Sequence, residues 1–281
     1  MPISFASLGG ASLPLAEDAA LQLLTNSDPT SLNAYFSETK NQLGLISLIS
    51  GPQWSALEYR ANTMSRIIAS SNALNAIVDS RTAMTAIAAS QTSMNTVAAS
   101  ATAMTAIAAK ETAMTPIAAN SIAMTPIVAN ANAMNTIAAS NTAMSAVFSS
   151  STARLLMFNS ALAETAFRTT SNSLNYISSN FGTNVSGGGN ANAWAVLSTA
   201  KVLVISANVG WITSGSSRQA RYFRHIQSGI TGSTMAVSNT PFAGDGNWPL
   251  LEGRMMDRLE LITYSDTTNA VTRSARIVVM G

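Results

Sequence analysis

The sequence predicts a multi-domain fibrous α+β protein: a helical amino-terminal region, a decapeptide-repeat shaft, and a carboxy-terminal antiparallel β-sandwich-like domain. Three observations carry that expectation. A ten-residue unit of the form x-T-A-M-T-A-I-A-A-S recurs in register from about residue 51 to 180. A Gly/Asn-rich stretch, GTNVSGGGNANA at residues 182–193, closes it. Beyond that stretch the apolar pattern changes to short runs of β-branched and aromatic residues.

Composition narrows the class. Only 10% of the 281 residues are charged, against about 25% in ordinary soluble domains. Hydrophobic residues make up 47%, too many for a chain that stays disordered for want of a core. The net charge of +2 is small, and no basic run of the kind that tracks phosphates occurs, so no nucleic-acid partner is expected. With no cysteine, disulfides, thiolate metal sites and a Cys nucleophile are excluded.

Residues 1–50 read as a lead-in and docking region. AEDAALQLL has helical spacing, and NSDPTSLNAYFSETKNQL reads as a turn followed by a second helix with Ser31 as its cap. The start of the chain lacks a basic segment followed by an apolar core, so no Sec signal is expected.

The array over 51–180 is regular by column. The fourth column reads Trp54, Met64, Leu74 and then Met at every tenth residue from Met84 to Met144, before Arg154, Glu164 and Leu174. The seventh, from Leu57 to Ile177, never turns polar. The fifth is Ser, Thr or Asn except at Leu155, and the tenth is Ser, Asn or Thr except at Arg60 and Lys110. At about 100° per residue the third, fourth, seventh and eighth columns share one helical face, and a tenth-column Ser or Asn suits the N-cap of the next unit. One continuous helix does not fit, because a ten-residue period rotates the apolar stripe. Thr115-Pro116 and Thr125-Pro126 read as N-cap followed by first helical residue. Short or kinked helices wrapped around a neighbour or an axis are therefore expected. The alternative is a β-solenoid with corners at the fifth and tenth columns, which would bury Asp79. Residues 112–153 carry no charge, but Thr, Asn, Ser and two prolines interrupt them, so no membrane insertion is expected.

Residues 181–193 read as a linker, and 194–281 as the β-rich head. Strands are expected at 201–209, 220–227, 257–265 and 275–281, with turns between them.

Candidate chemistry is sparse. His225 is the one histidine and has no nucleophile motif around it, and no cofactor or metal site is expected. Asp245, Glu252, Asp257, Glu260 and Asp266 would suit a glycosidase pair, but Arg254, Arg258, Arg273 and Arg276 lie near them, and ordinary ion pairs are the simpler reading. Trp248, Trp211 and Tyr222 are the candidate glycan or receptor contacts. Met84, Ile87, Met94, Val97, Met104, Ile107, Met114 and Ile117 are the candidate self-association face.

Decads such as ATAMTAIAAS, ANAMNTIAAS and NTAMSAVFSS resemble the Ala/Ser/Thr/Asn-rich repeats of bacteriophage tail-fibre and virion appendage proteins. The resemblance covers about residues 51–180. It implies a structural protein of the virion, with an amino-terminal region docked to other virion proteins, a repetitive shaft and a tip. It also implies a homo-oligomer, most often a trimer. No active-site motif is carried over. A receptor- or glycan-binding adhesin is the alternative function, and a carbohydrate-cleaving tail enzyme the third.

Overall fold

Every tenth residue of the array is a corner, and the corners explain the period. Ser80, with φ −104° and ψ 107°, is extended, and α-helix resumes at once on its far side. In the corners from Ser80 to Ser140 the tenth-column N–H donates to the seventh-column carbonyl of the helix that ends, as in Ser90 N to Ile87 O at 3.0 Å. Its own carbonyl accepts from the fourth-column N–H of the helix that begins, as in Met94 N to Ser90 O at 3.0 Å. Except at Lys110, its side chain also accepts from the helix that begins: from the third-column N–H, as in Ala103 N to Ser100 Oγ at 3.2 Å, or at Asn120 from the second-column N–H of Ile122 at 2.8 Å. One residue therefore closes one helix and caps the next. Nine helical residues, or eight and a turn residue, plus this corner make ten.

The computed structural model describes residues 13–60, 62–190, 194–209, 221–225, 233–236, 246–247, 253–256, 259–263 and 270–281. The chain divides into two units, Met1–Val147 and Phe148–Gly281. The first holds α1 (Leu13–Asn26), α2 (Pro29–Tyr35), α3 (Thr39–Ser50), α4 (Trp54–Arg60), α5 (Thr63–Ala69) and α6 (Ser71–Val78). It continues with α7 (Arg81–Ala88), α8 (Gln91–Ala99), α9 (Ala101–Ala108), α10 (Glu111–Ala118), α11 (Ser121–Val128) and α12 (Ala131–Ala139). The division falls within α13 (Asn141–Ser149).

Each helix packs against its sequence neighbours and against the helix three further on: α7 on α10, α8 on α11, α9 on α12. Three helices thus make one turn of a helical solenoid, thirty residues long. Hydrogen bonds bind adjacent turns, from Thr112 Oγ1 to Val78 O at 3.0 Å and from Ser140 Oγ to Ala108 O at 2.5 Å. The third, fourth, seventh and eighth columns face inward as the helical reading predicts. In α7 these are Ala83, Met84, Ile87 and Ala88, all buried. Alanine in the third and eighth columns lets helices approach closely, while Met and Ile fill the interior. Each such Met or Ile contributes about 1.5–3 kcal/mol of burial, and no single helix of this length would be stable without it. The β-solenoid is overturned here, and Asp79, which it would have buried, is exposed.

Three further expectations change. Pro116 and Pro126 do not begin helices but lie inside α10 and α11. A proline there frees the carbonyl four residues earlier, and that carbonyl belongs to Thr112 or Ile122, both exposed residues. Asp28, not Ser31, caps α2: Oδ1 accepts from the N–H of Thr30 and of Ser31, and the Ser31 hydroxyl donates to Oδ2 at 2.8 Å. Those bonds, the Ser31 hydroxyl first, hold the Asp28 carboxyl below its ordinary pKa. Residues 13–50 are no separate lead-in either, since α2 packs on α5 and α6, and α3 on α6 and α7. Asn33 seals that contact, with Oδ1 accepting from the Asn72 N–H at 2.9 Å and its carbonyl from Asn72 Nδ2 at 2.8 Å.

The second unit holds α14 (Ser151–Phe158), α15 (Ala161–Thr169) and α16 (Ser173–Phe181), followed by strands. These are β1 (Thr183–Asn190), β2 (Trp194–Ser198), β3 (Val202–Val209), β4 (Arg221–His225), β5 (Ser233–Ala236), β6 (Gly246–Asn247), β7 (Met255–Met256), β8 (Leu259–Thr263) and β9 (Ala270–Val279). Two antiparallel sheets result, one ordered β1-β9-β3-β6 with β7 also paired to β3, the other β2-β8-β4-β5. The expected strands at 201–209, 220–227, 257–265 and 275–281 correspond to β3, β4, β8 and the end of β9. The expected linker is corrected, because Thr183–Asn190 pairs with β9 over eight consecutive residues, Gly187 to Gly189 included. Glycine-rich strands read as linkers because no side chain reports their pairing.

Candidate functional site

The eight residues expected to bind other copies lie inside one chain. Met84, Ile87, Met94, Val97, Met104, Ile107, Met114 and Ile117 are each at most 1% exposed. Stacking of α7 to α12 on one another covers them, so they are the solenoid's own core and not a face for a second molecule. What the helices present outward is the first, second, fifth and ninth columns, mostly Thr, Asn, Ser, Gln and Ala. Apart from Arg81 and Glu111, that surface is uncharged and rich in hydroxyl and amide groups.

Of the candidate glycan contacts, Trp211 and Trp248 lie outside the described residues. Tyr222 is in β4, paired with Ala236 of β5 and Ile262 of β8. Among the candidate carboxylates, Asp245, Glu252, Asp257 and Asp266 also lie outside them, while Glu260 is in β8 opposite Val196. His225 stands opposite Ser233. Among the described residues no three His, Asp or Glu side chains come together to hold a metal. No helix among them is long and apolar enough to cross a membrane.

The polar chemistry that the structure does assemble lies in the second unit, where α14–α16 meet the strands. Glu164 occupies the fourth column, the place of Met in earlier decads, and is 5% exposed. Arg254 Nη1 donates to its Oε1 at 2.6 Å, and the Met255 N–H to its Oε2 at 3.1 Å. Arg276 turns on the end of α16: Nε donates to Ser178 Oγ at 2.7 Å, Nη2 to Ser178 O at 2.6 Å, and Nη1 to Asn184 Oδ1 at 3.1 Å. A guanidinium at a helix C-terminus is favourably placed against the dipole, and here it adds to the Gly182 N–H, which also donates to Ser178 O at 3.1 Å. Lys201 Nζ lies 4.9 Å from the centre of the Phe158 ring. Phe167 and Phe181 both pack on Phe148, with centroids 5.3 and 5.6 Å away.

Gly253 completes this junction. Its φ of +76° favours glycine, and a Cβ there would come within 2.2 Å of Arg168 Cγ. Its N–H donates to Val204 O, and the Val204 N–H to Arg254 O, each at 2.8 Å. Arg254 and Arg276 were candidates to pair with nearby carboxylates of the strand region. Arg254 instead pairs with Glu164, ninety residues earlier, and Arg276 binds a hydroxyl, a carbonyl and an amide. The signal for Glu164 was visible as a charge in an apolar column; nothing in the sequence marked its partner.

In the first unit a cavity of about 290 Å³ is lined by Glu17, Ser47, Leu48, Ser50, Gly51, Pro52 and Gln53. The Ser47 hydroxyl donates to Glu17, which leaves one already hydrogen-bonded carboxylate and no second acid or base beside it. Neither this cavity nor the junction pairs a nucleophile with a base. Compared with models of protein families and with curated proteins, the chain matches none.

Proposed function

We propose that the chain is a structural subunit of a virus particle, a phage tail-fibre or neck/tail appendage protein. The helical solenoid is its spacer, and the strand-rich part, built as a β-sandwich, is its tip. The observation that carries the reading is the interchangeable thirty-residue turn. From α7 to α12 the helices bury the same Met and Ile or Val columns, expose mostly small neutral side chains, and stack turn on turn. Such an array sets a distance and offers no chemistry. The resemblance of the decads to virion appendage repeats supplies the setting.

The reading no longer needs copies of the chain to cover the apolar columns. Association into the trimer common among fibres would have to use the exposed columns or the strand-rich part. Two measurements test the proposal. Deleting residues 111–140, one whole turn, leaves a folded helical protein whose longest dimension in small-angle scattering falls by one helix spacing, about 8–10 Å. Unfolding on that deletion would overturn the spacer role. Antibodies to the purified chain label an appendage on virions that carry its gene, and unlabelled particles would overturn the virion assignment.

A further inference from the structure

An array of near-identical decads has a problem that its core cannot solve. Because the Met and Ile columns are the same in α7 to α12, a helix can stack on the wrong predecessor with its apolar contacts intact. A looped-out decad, or pairing with another chain, is then close in energy to the correct coil. Something outside the core has to say which decad lies on which.

Charge in this region is not repeated from decad to decad. Between Arg66 and Arg154 the sequence has four charged residues: Asp79, Arg81, Lys110 and Glu111. They occupy two corners one turn apart, the first between α6 and α7 and the second between α9 and α10. Lys110 Nζ reaches Asp79 Oδ1 at 2.9 Å, across a separation of thirty-one residues. Arg81 and Glu111 hold the same first-column position on α7 and α10, which pack together. The signs alternate within each corner, so the correct stacking places opposite charges over one another.

The local chemistry shows that this placement is costly. Lys110 stands where neighbouring corners have a capping Ser or Asn, and α10 has no side-chain cap. Glu111 in the first turn recovers part of the loss through the helix dipole. A lysine that weakens its own helix and joins the turn before it has a purpose other than local stability.

We propose that the Asp79–Lys110 pair, together with Arg81 and Glu111, is a register lock that selects the thirty-residue turn over slipped alternatives. A half-exposed ion pair adds little to stability, but it need only separate states that are otherwise nearly equal.

The test uses the full chain, which has no native cysteine, with nitroxide labels at Gln91→Cys and Ser121→Cys on the packed helices α8 and α11. After refolding from urea, the unaltered background gives one narrow label-to-label distance. Lys110→Ser restores a cap and removes the lock. It is expected to leave the melting temperature unchanged or raised while the correctly registered fraction falls, with the slipped fraction growing about threefold. Asp79→Lys gives the same second distance, and Asp79→Lys with Lys110→Asp restores the single one. A single narrow distance in both Lys110→Ser and Asp79→Lys overturns the proposal. A melting temperature that falls in Lys110→Ser with no second distance also overturns it, because the pair would then be plain stabilisation.

Discussion

Met134 in α12 and Glu164 in α15 hold the same column of the repeat and are both buried, yet they belong to different kinds of structure. Met134 lies in a wall where the turn before it offers the same apolar side chain, Met104 of α9. Glu164 faces a strand segment and takes a guanidinium and a backbone N–H from it. The difference shows that the column dictates burial and not polarity. What the buried position meets decides which residue it tolerates. In the array the partner is another copy of the unit; at the junction it is backbone that needs an acceptor.

The sharpest way to break the comparison is to put the junction's residue into the wall. Met134→Glu buries a carboxylate with no cation opposite, and is expected to cost more than about 4 kcal/mol. Loss of the helical far-UV signal in urea at much lower concentration checks it. The reverse exchange, Glu164→Met, restores the array's own residue but strands Arg254 and the Met255 N–H. It is expected to destabilise the protein by about 3 kcal/mol in urea unfolding. If it stabilised instead, the column alone would govern and the junction would be incidental.

Smaller changes probe the corners and helices that both regions share. Pro116→Ala returns a hydrogen bond to the Thr112 carbonyl and is expected to raise stability by about 1–2 kcal/mol. The helix-interior penalty of proline outweighs its restriction of the unfolded chain. Ser100→Ala removes the hydroxyl that accepts from Ala103 and is expected to cost about 1 kcal/mol, whereas Ser100→Asn is near neutral because Asn130 caps in the same way. Both are read as shifts in melting temperature. The smallest effect is acidic. Asp28 has its pKa lowered by the bonds at the start of α2, so its contribution is fully present above its unfolded value near 3.8. That contribution is lost as pH falls through the lower folded value. Carboxyl NMR titration of Asp28 checks the direction, and an unshifted midpoint would deny the cap.

The period, the four inward columns and the tenth-column caps were legible in the sequence because each rests on local geometry: helical angle, burial of Met and Ile, and a hydroxyl near an N-terminus. Two things were not. That the apolar columns face other turns of the same chain depends on the three-helix turn, and the angle at a one-residue corner leaves no mark in residue identity. The strand pairing of Gly187 to Gly189 and the partners of Arg254 and Arg276 depend on contacts ninety or so residues apart. The prolines misled for a physical reason. Each freed carbonyl belongs to an exposed residue, and which residues are exposed follows from the packing.

The one-residue corner has a consequence for inheritance. A gene made of such repeats gains and loses units when its copying slips, and the unit most easily gained is a single decad. Three helices complete a turn, so one added decad swings the heading at which the chain leaves the coil by about a third of a circle. Three added decads lengthen the coil and leave that heading alone. Counting decads therefore sets both the length of the coil and its exit heading, and changes in threes alter the length without the heading.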